Sequence, residues 1–408
     1  MILVLLTAVY MFYYIYILKA IGKTSARAHN LTNPSSTTRI TLVIPTYNEE
    51  LAIGAKLHNL IGQTYPLNLV EVIVIDSNSS DKTVEIVKKF ILEHPELDIK
   101  IMEEEKRLGK STAVNKAFSS ARPQSEIIMM TDVDVHLEKD AIEKVVSNFG
   151  DPTVGAVCGR QVLINPQESK ETKMEATYQR FYEKLRIGES VIDSTPLFEG
   201  QFAAYRANVI QGENVIENAN ADDCQLAITV RRKGFKAIYD EQAVFYEYAP
   251  PDKASLQLQK IRRGQGLARL FWQNKDMIFK KKYGRFGLYI LPANFFMYVV
   301  SPFLVSGFII LCFASLSFYL IECRDLTWVA ASSMLAGVTL VMCYFTQGKK
   351  YLNIVWAFLE YQLMLLRGIL LILGGRSLHK WRKVDKIREK YNTHAPNRKS
   401  VPHSCVKC

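Results

Sequence analysis

The hydrophobic positions of the chain fall into regions with different patterns. Residues 1–18 and about 287–375 are almost uncharged, whereas residues 30–285 carry charged side chains throughout. Within this charged region, short apolar runs alternate with stretches of helical periodicity. Strands that are buried on both faces form continuous apolar runs, so the alternation predicts an α/β fold with a doubly wound, mostly parallel sheet.

Four apolar runs predict the first strands of this sheet, and helices are predicted between them. Asp81 provides an N-cap for the second of these helices. The predicted strands are 40–44, 70–75, 99–102 and 127–131, and the predicted helices are 50–61, 82–93 and 110–121.

The second half of the charged region predicts one more strand and two more helices. Residues 154–162 predict an antiparallel or edge strand, and a helix that ends near Gly234 follows Asp222–Asp223. A further helix is predicted over 168–187, where four residues recur at helical spacing and should face the core, namely Met174, Tyr178, Phe181 and Leu185.

The N-terminal apolar segment predicts an uncleaved membrane anchor over residues 1–19. Residues 1–18 carry no charge, and three basic residues come after them, Lys19, Lys23 and Arg27. A secretory signal would carry positive charge ahead of the apolar run, and the small-x-small sequence at 26–28 lies beyond that run. The positive flank places the following residues in the cytoplasm, after a linker over 20–37.

The second apolar region, 286–375, predicts several membrane crossings. The basic tail over 376–408 should be cytoplasmic, so an even number of crossings must separate it from the charged region of residues 30–285. We expect four crossings, with the first candidate span folded as a hairpin, unless one segment lies at the interface. Glu360 and Arg367 indicate partial exposure or a position facing a pore. The candidate spans are 287–321, 327–345 and 351–373.

Charge and cysteine content refine this picture. The formal net charge of +11 lies largely beside the apolar segments and in the tail, which favours an anionic membrane over nucleic acid as partner. The seven cysteines form no disulfide framework, which indicates a reducing compartment. Cys405 and Cys408 lack a second ligand pair, so we interpret them as part of a flexible tail. The sequence thus predicts a multi-pass integral membrane protein whose charged region is cytoplasmic.

Polar side chains follow three of the predicted strands. They are Thr46–Asn48, then Asp76, then Asp132 and Asp134. Loops after neighbouring parallel strands lie together, so these residues can line one crevice. Asp132 and Asp134 point the same way if their strand continues, and two carboxylates suit a hard divalent cation and a phosphorylated ligand. Each alone could instead be an ordinary turn residue.

Three further groups each allow two interpretations. Residues 109–112 resemble the end of a P-loop, but Glu104 stands where that motif needs glycine, so Lys110 is either a diphosphate contact or a solvated lysine. Asp222–Asp223 is either a helix cap or a general base beside a metal. The basic stretch 257–282 predicts an amphipathic interfacial segment within 251–285, whose paired arginines could be plain membrane-facing charge.

Six motifs in order resemble those of family 2 glycosyltransferases, which are inverting enzymes with a GT-A fold. The likeness covers residues 38–285, with the catalytic domain over 38–250. The flanking apolar segments are similar to those of the membrane-integrated branch, the synthases of cellulose, hyaluronan and poly-N-acetylglucosamine. The motifs are Ile44–Glu50, Asp76, Gly109–Lys110, Asp132–Asp134, Asp222–Asp223 and Gln259–Arg263.

The resemblance implies a role for each motif. Asp223 would be the catalytic residue, the general base for the acceptor hydroxyl. Asp132 and Asp134 would hold Mg2+ or Mn2+ against the diphosphate of a nucleotide-sugar. Asp76 would contact the base or ribose, and Lys110 would lie near the diphosphate. The other substrate-binding residues implied are Pro45, Thr46, Tyr47, Glu49, Asp222, Gln259, Arg262 and Arg263.

One position departs from the family pattern. Processive members carry QxxRW, and Arg263 stands where they have tryptophan. The resemblance therefore implies either transfer of one sugar, most commonly from a UDP-sugar, to a lipid-linked or glycan acceptor, or processive synthesis of an exported polysaccharide. A non-catalytic membrane scaffold is a further alternative, against which the intact acidic set argues. The expected partners are the donor, the acceptor and membrane lipid, with the oligomeric state left open and no nucleic acid.

Overall fold

The computed structural model of the chain describes residues 2–24, 37–217, 220–250, 252–322 and 349–378. At its centre lies one eight-stranded sheet in the order β3-β2-β1-β4-β7-β6-β8-β5. The strands are β1 (Ile40–Thr46), β2 (Val70–Asp76), β3 (Asp98–Glu103), β4 (Ile127–Thr131), β5 (Val135–Leu137), β6 (Val154–Leu163), β7 (Phe202–Arg206) and β8 (Lys236–Glu247).

Helices cover both faces of the sheet and extend beyond one end of it. The helices that precede β8 along the chain are α1 (Ile2–Thr24), α2 (Ile53–Ile61), α3 (Thr83–Glu93), α4 (Lys110–Ser119), α5 (Ala141–Ser147), α6 (Lys170–Ile192), α7 (Ala207–Ile210) and α8 (Asp222–Arg232). The remaining helices are α9 (Lys253–Gln273), α10 (Leu291–Phe295), α11 (Ser301–Glu322) and α12 (Lys349–Leu373).

The sheet is mixed, which corrects part of the prediction. Strands β3, β2, β1 and β4 are parallel as expected, and so are β6 and β8. However, β7 is antiparallel to both β4 and β6, and β5 is antiparallel to β8. The strand predicted at 154–162 is antiparallel to β7 but lies inside the sheet, so it is not an edge strand. An apolar run shows that a strand is buried, but not in which direction its neighbour runs.

Two hydrophobic cores sandwich the sheet, because successive side chains of a strand point to opposite faces. Val43 and Ile73 belong to the core that includes residues of α1, α4, α6 and α8. Leu42 and Val72 belong to the core formed with α2, α3 and α5. Burial of the central strands on both faces explains why β1, β2 and β4 were readable from sequence as apolar runs.

Helix α6 does not have the single core-facing side that we predicted. It begins after a capping box of Ser169 with Thr172 and is longer than the 168–187 expected. Leu185 is buried as predicted, but Phe181 is 39% exposed and stacks on Tyr14 of α1 at 5.3 Å between ring centroids. Helix α6 lies between α1 and the sheet, so more than one of its faces is covered.

Small shifts occur at two other predicted helix ends. Helix α3 begins at Thr83 and its N-cap residue is Lys82. Asp81, which we predicted as the cap, still accepts a hydrogen bond from the Thr83 backbone N–H at 3.0 Å. Helix α4 ends at Ser119, two residues before the predicted 121.

The predicted hairpin within 287–321 is wrong. Two five-residue π-helical segments, Phe286–Ile290 and Phe296–Val300, join α10 and α11 into one uninterrupted helical stretch. Pro292 and Pro302 lack the N–H that an α-helix uses, and the wider π turns precede both prolines without ending the helix.

One helix among the described residues, Phe286–Leu311, is long and apolar enough to cross a membrane, with a mean hydropathy of 1.9 over its best window. Val9–Gly22 forms a shorter apolar helix. Arg367 of α12 is exposed, and Glu360 accepts a hydrogen bond from Gln257 of α9 at 3.0 Å. The predicted span at 327–345, most of the linker and nearly all of the tail, with Cys405 and Cys408, lie outside the described residues.

Candidate active site

A cavity of about 280 Å³ opens where the loops after β1 and β4 meet α4, α6, α8 and α9. Every residue that the sequence analysis placed in the site lines this cavity, except Asn48 and Asp76. The lining residues from that set are Pro45, Thr46, Tyr47, Glu49, Lys110, Asp132, Asp134, Asp222, Asp223, Gln259, Arg262 and Arg263.

Asp76 lies directly behind the cavity wall. The register of β1 and β2 pairs it with Thr46, whose Oγ1 donates a hydrogen bond to Asp76 Oδ1 at 3.1 Å. The Asp76 carboxylate also accepts from the Ser79 backbone N–H at 2.8 Å and is 1% exposed. Asp76 therefore holds the loops after β1 and β2 together, while Thr46 and Ser77 reach the cavity.

The loop after β1 carries an aromatic platform. The Arg107 guanidinium lies 3.8 Å above the centre of the Tyr47 ring. Asn48 adopts a left-handed conformation (φ 53°), and its side-chain oxygen accepts from the Ser80 backbone N–H at 2.7 Å. These contacts fix the shape of the strand-end loop before any ligand binds.

Asp132 and Asp134 both line the cavity, although β4 ends at Thr131 and does not continue through them. Asp132 forms an ion pair with Lys110 at 2.5 Å between Oδ1 and Nζ. Asp134 is 8% exposed. The sequence analysis missed a residue that holds this turn: Lys56 of α2, 2% exposed, donates from Nζ to Thr131 Oγ1 at 2.8 Å and to the Val135 carbonyl at 3.0 Å.

The donor set fits a divalent cation as a two-carboxylate site. The described residues contain no group of three His, Cys, Asp or Glu that could hold a metal ion by themselves. Mg2+ in particular is often held by one or two carboxylates with phosphate oxygens and water completing its shell. Asp132 and Asp134, on the wall of a cavity large enough for a diphosphate, match that pattern.

Asp222 and Asp223 begin α8 and differ in their surroundings. Asp222 is 7% exposed and accepts a hydrogen bond from Ser111 Oγ at 2.6 Å, which ties α8 to α4. Burial raises the pKa of Asp223 to about 6, against the lowering effect of Lys110. A carboxylate with a raised pKa on a cavity wall is suited to accept a proton near neutral pH.

The backbone before Asp222 is strained. Asn220 and Ala221 both adopt left-handed conformations, with φ of 59° and 56°. Two consecutive residues of this kind are uncommon outside glycine, and such strain concentrates at functional sites. The turn directs the first residues of α8 into the cavity.

Gly200 makes room for the Asp223 carboxyl group. A Cβ at position 200 would lie 3.1 Å from Asp223 Cγ and 3.2 Å from Oδ2. We expect Gly200→Ala to lower kcat about 10-fold, since displacement of a reacting group by 1 Å can cost about 100-fold. Gly54→Ala is the matched control, because its Cβ would meet only Ile86 at 3.8 Å. A steady-state assay that finds equal kcat values for the two variants would contradict this prediction.

The two arginines of α9 face the cavity and not the membrane, which decides between the alternatives left open by the sequence. Burial and the neighbouring Arg263 lower the pKa of Arg262 to about 10. Burial acts to lower the pKa of Arg263, but the charges of Glu199, Glu247 and Glu175 raise it above the usual range. Burial, and then the charge of Asp134, raise the pKa of Glu247 to about 8. The predicted interfacial segment thus supplies a wall of the site.

One stripe of α6 lines the cavity and was missed in the sequence analysis. Its residues recur at the three- and four-residue spacing that places side chains on one helix face. Tyr178, which we predicted to face the core, packs against it and also lines the cavity. The charged residues that recur at the same spacing were the signal available in the sequence. The members are Glu175, Tyr178, Tyr182 and Arg186.

Comparison with known proteins agrees with this architecture. The family model described as "Glycosyl transferase family 2" matches residues 41–212, and "Glycosyl transferase family group 2" matches residues 127–365, more than half of the chain. The structure of a mannosyltransferase from Pyrobaculum calidifontis in complex with GDP-Man and Mn2+ superposes with a TM-score of 0.71 at 26% identity. That likeness covers 92% of this chain and 99% of the mannosyltransferase.

Two curated relatives are matched over a smaller part of their length. Beta-monoglucosyldiacylglycerol synthase of Synechocystis sp. is 29% identical over 213 residues, which is 50% of this chain and 43% of that enzyme. Poly-beta-1,6-N-acetyl-D-glucosamine synthase of Staphylococcus epidermidis is 24% identical over 299 residues, 72% of this chain and 68% of that enzyme. The chain thus matches less than half of the cyanobacterial relative. On the family models, the fold and the ordered motifs together, this chain belongs to glycosyltransferase family 2.

Proposed function

We propose that the protein transfers a sugar from a nucleotide-sugar to an acceptor at a membrane, with inversion at the anomeric carbon. The observation that carries this proposal is the convergence of Asp132, Asp134, Lys110 and Asp223 on one cavity. A carboxylate pair with a cation suits a diphosphate, and a carboxylate of raised pKa suits a proton acceptor. The superposed mannosyltransferase is in complex with GDP-Man and Mn2+, which supports a nucleotide-sugar and a divalent cation as the ligands of this cavity.

The strand-end loops would bind the donor. In this proposal the Tyr47 ring with Arg107 forms a platform for the nucleotide, and Asp76 orders the loops behind it. Lys110 would donate hydrogen bonds to the diphosphate, and Asp132 and Asp134 would hold Mg2+ or Mn2+ beside it. When bound, the ion would neutralise charge that develops on the leaving diphosphate.

Asp223 would act on the acceptor. Its carboxylate would take the proton of the acceptor hydroxyl as that oxygen bonds to the anomeric carbon and the bond from this carbon to the diphosphate breaks. One displacement from the face opposite the diphosphate inverts the configuration. Gly200 leaves the space that the carboxylate needs, and Asp222, bonded to Ser111, fixes the start of α8.

A pH profile follows from the base role. The pKa of Asp223 is raised to about 6, and only the ionised carboxylate accepts a proton. We expect kcat/KM to be constant above pH 7 and to fall about 10-fold per pH unit below pH 6. Transfer rates between pH 4.5 and 8, with folding followed by intrinsic fluorescence, would measure this. A rate that holds to pH 4.5 in folded protein contradicts the assignment.

We also propose that the chain is a multi-pass membrane protein with its catalytic domain in the cytoplasm. The apolar helix Phe286–Leu311, the apolar α1 and the exposed apolar side chains on both support a membrane location. The basic residues at the end of α1 support the cytoplasmic side for the domain that follows. Single-sugar transfer is favoured over processive synthesis, because Arg263 stands where processive members carry the tryptophan of QxxRW.

The test is a screen of radiolabelled UDP- and GDP-sugars with membranes that contain the protein, with and without Mn2+. We expect one donor to release its nucleotide and to label a product only when the metal is present. Product size separates a single transfer from a polymer. A chain that turns over none of these donors would instead be the non-catalytic scaffold.

A further inference from the structure

The end of the cavity away from the strand ends has an unusual aromatic lining. Four tyrosines from three helical elements meet there and form what we name the tyrosine lobe. Ring centroids of Tyr178 and Tyr182 lie 4.3 Å apart, and Tyr178 and Tyr361 lie 5.1 Å apart. Tyr298 lies 6.4 Å from Tyr182 and stacks on Phe271 at 5.4 Å. All four tyrosines line the same cavity as Asp223.

The lobe joins the catalytic cavity to the apolar helices. Tyr178 and Tyr182 belong to α6, Tyr298 lies within the candidate span Phe286–Leu311, and Tyr361 lies on α12. A ligand in the lobe would therefore have one end near Asp223 and the other beside helices suited to lipid. That arrangement fits an acceptor whose reactive group is polar and whose remainder extends towards a membrane.

The choice of tyrosine indicates what the lobe can bind. Phenylalanine would fill a core equally well, whereas tyrosine combines a flat apolar face with a hydroxyl that donates and accepts hydrogen bonds. A sugar ring presents the complementary surface, with C–H groups on its faces and hydroxyl groups on its rim.

The charges beside the lobe are paired, which bears on the ligand's charge. Lys260 Nζ lies 3.0 Å from a Glu175 carboxylate oxygen and 5.0 Å from the centre of the Tyr178 ring. Arg186 pairs with Glu199 at 2.6 Å. A phosphate placed here would have to compete with buried carboxylates for these cations, whereas a neutral ring leaves both ion pairs intact.

We propose that the tyrosine lobe is the acceptor subsite and that it takes a neutral sugar ring in preference to a phosphate group. The inference rests on the proposed function, since it names the acceptor of the same site. Tyr178 stacks on the ring, and the acceptor hydroxyl points from the lobe to Asp223.

The test uses p-nitrophenyl β-D-glucopyranoside and p-nitrophenyl phosphate, which share one aromatic group and differ in charge. Saturation-transfer NMR with the full chain in nanodiscs measures binding of each probe without any turnover. We expect saturable transfer from the protein to the C–H protons of the glucosyl ring. We expect no binding of p-nitrophenyl phosphate at a site from which the glucoside could displace it. Binding of the phosphate in preference to the glucoside overturns the proposal.

Variants of α6 locate the binding. Tyr178→Ala should raise the Kd of the glucoside about 10-fold, which corresponds to about 1.4 kcal/mol, and Tyr178→Phe should raise it less than 3-fold. Val191→Ala, at an exposed position of the same helix outside the cavity lining, is the control. An unchanged Kd in Tyr178→Ala overturns the assignment.

A separate measurement distinguishes this inference from the proposed function. Release of nucleotide from a nucleotide-sugar, followed without any probe, reports only whether the chain is a transferase. Nucleotide release without glucoside binding contradicts the acceptor subsite but not the proposed transferase activity. Glucoside binding without nucleotide release contradicts the transferase activity but not the subsite.

Discussion

Replacing Asp223 with Asn should reduce the rate of sugar transfer by about 10²- to 10⁴-fold, the usual contribution of a general base. Nucleotide-sugar binding should be largely retained, because the donor would be held by Lys110, Asp132 and Asp134 and not by Asp223. Burial raises the pKa of the Asp223 carboxyl to about 6. At pH 7 the group is therefore mostly ionised, but its charge costs more free energy in the folded protein than in the unfolded chain. The amide removes that unfavourable charge, and we expect no loss of thermal stability.

Single-turnover transfer and nucleotide titration, carried out on the same preparation, separate the two effects. Glu241→Gln makes the same chemical change at an exposed position and should leave both quantities unaltered. Normal turnover in folded Asp223→Asn would remove this residue from the mechanism and leave Asp222 as the acid to test.

Asp134→Asn carries the second large effect. In this variant, we expect the affinity for a nucleoside diphosphate in the presence of Mn2+ to be at least about 100-fold weaker than in the unaltered chain. Even residues that only support a metal ligand cost 10- to 100-fold when replaced, so loss of a ligand itself should reach the upper end of that range. Calorimetric titration of UDP and GDP, with and without Mn2+, measures this without any catalytic turnover.

Asp140→Asn provides the control for Asp134→Asn. Asp140 lies six residues downstream at the surface, where it pairs with Lys144 at 2.8 Å. Its replacement should leave the metal-dependent affinity unchanged. If Asp134→Asn binds nucleoside diphosphate with the same response to Mn2+ as the unaltered chain, the two-carboxylate site is wrong.

Local pattern was enough to predict the parallel half of the sheet and the residues around its edge. Strands β1, β2 and β4 are buried on both faces, so each is a continuous apolar run. Parallel strands end at the same edge, which is why Thr46 and Asp76 lie opposite each other in register. The same edge brings Asp132 and Asp134 to the cavity even though β4 ends before them.

Other features depended on contacts between distant segments. The face that α6 turns to the cavity follows from its position between α1 and the sheet, where Gly188 lies so close to Ile17 that a Cβ would be 2.4 Å from its Cγ2. Lys56 acquires its role only because α2 packs beside the turn after β4. A heptad-like spacing cannot tell these environments apart, since helical periodicity identifies a face but not its neighbour.

By itself, the sequence determined the order of the acidic motifs and the strand ends that carry them, because these follow from local hydrophobicity and chain order. The resemblance of these motifs to known ones indicated the family. Only the tertiary structure decided the antiparallel half of the sheet, the uninterrupted helix through Pro292 and Pro302, and the inward position of Arg262 and Arg263. Each of these depends on which surfaces meet after folding. The burial that raises the pKa of Asp223 arises in the same way, from packing that no single segment contains.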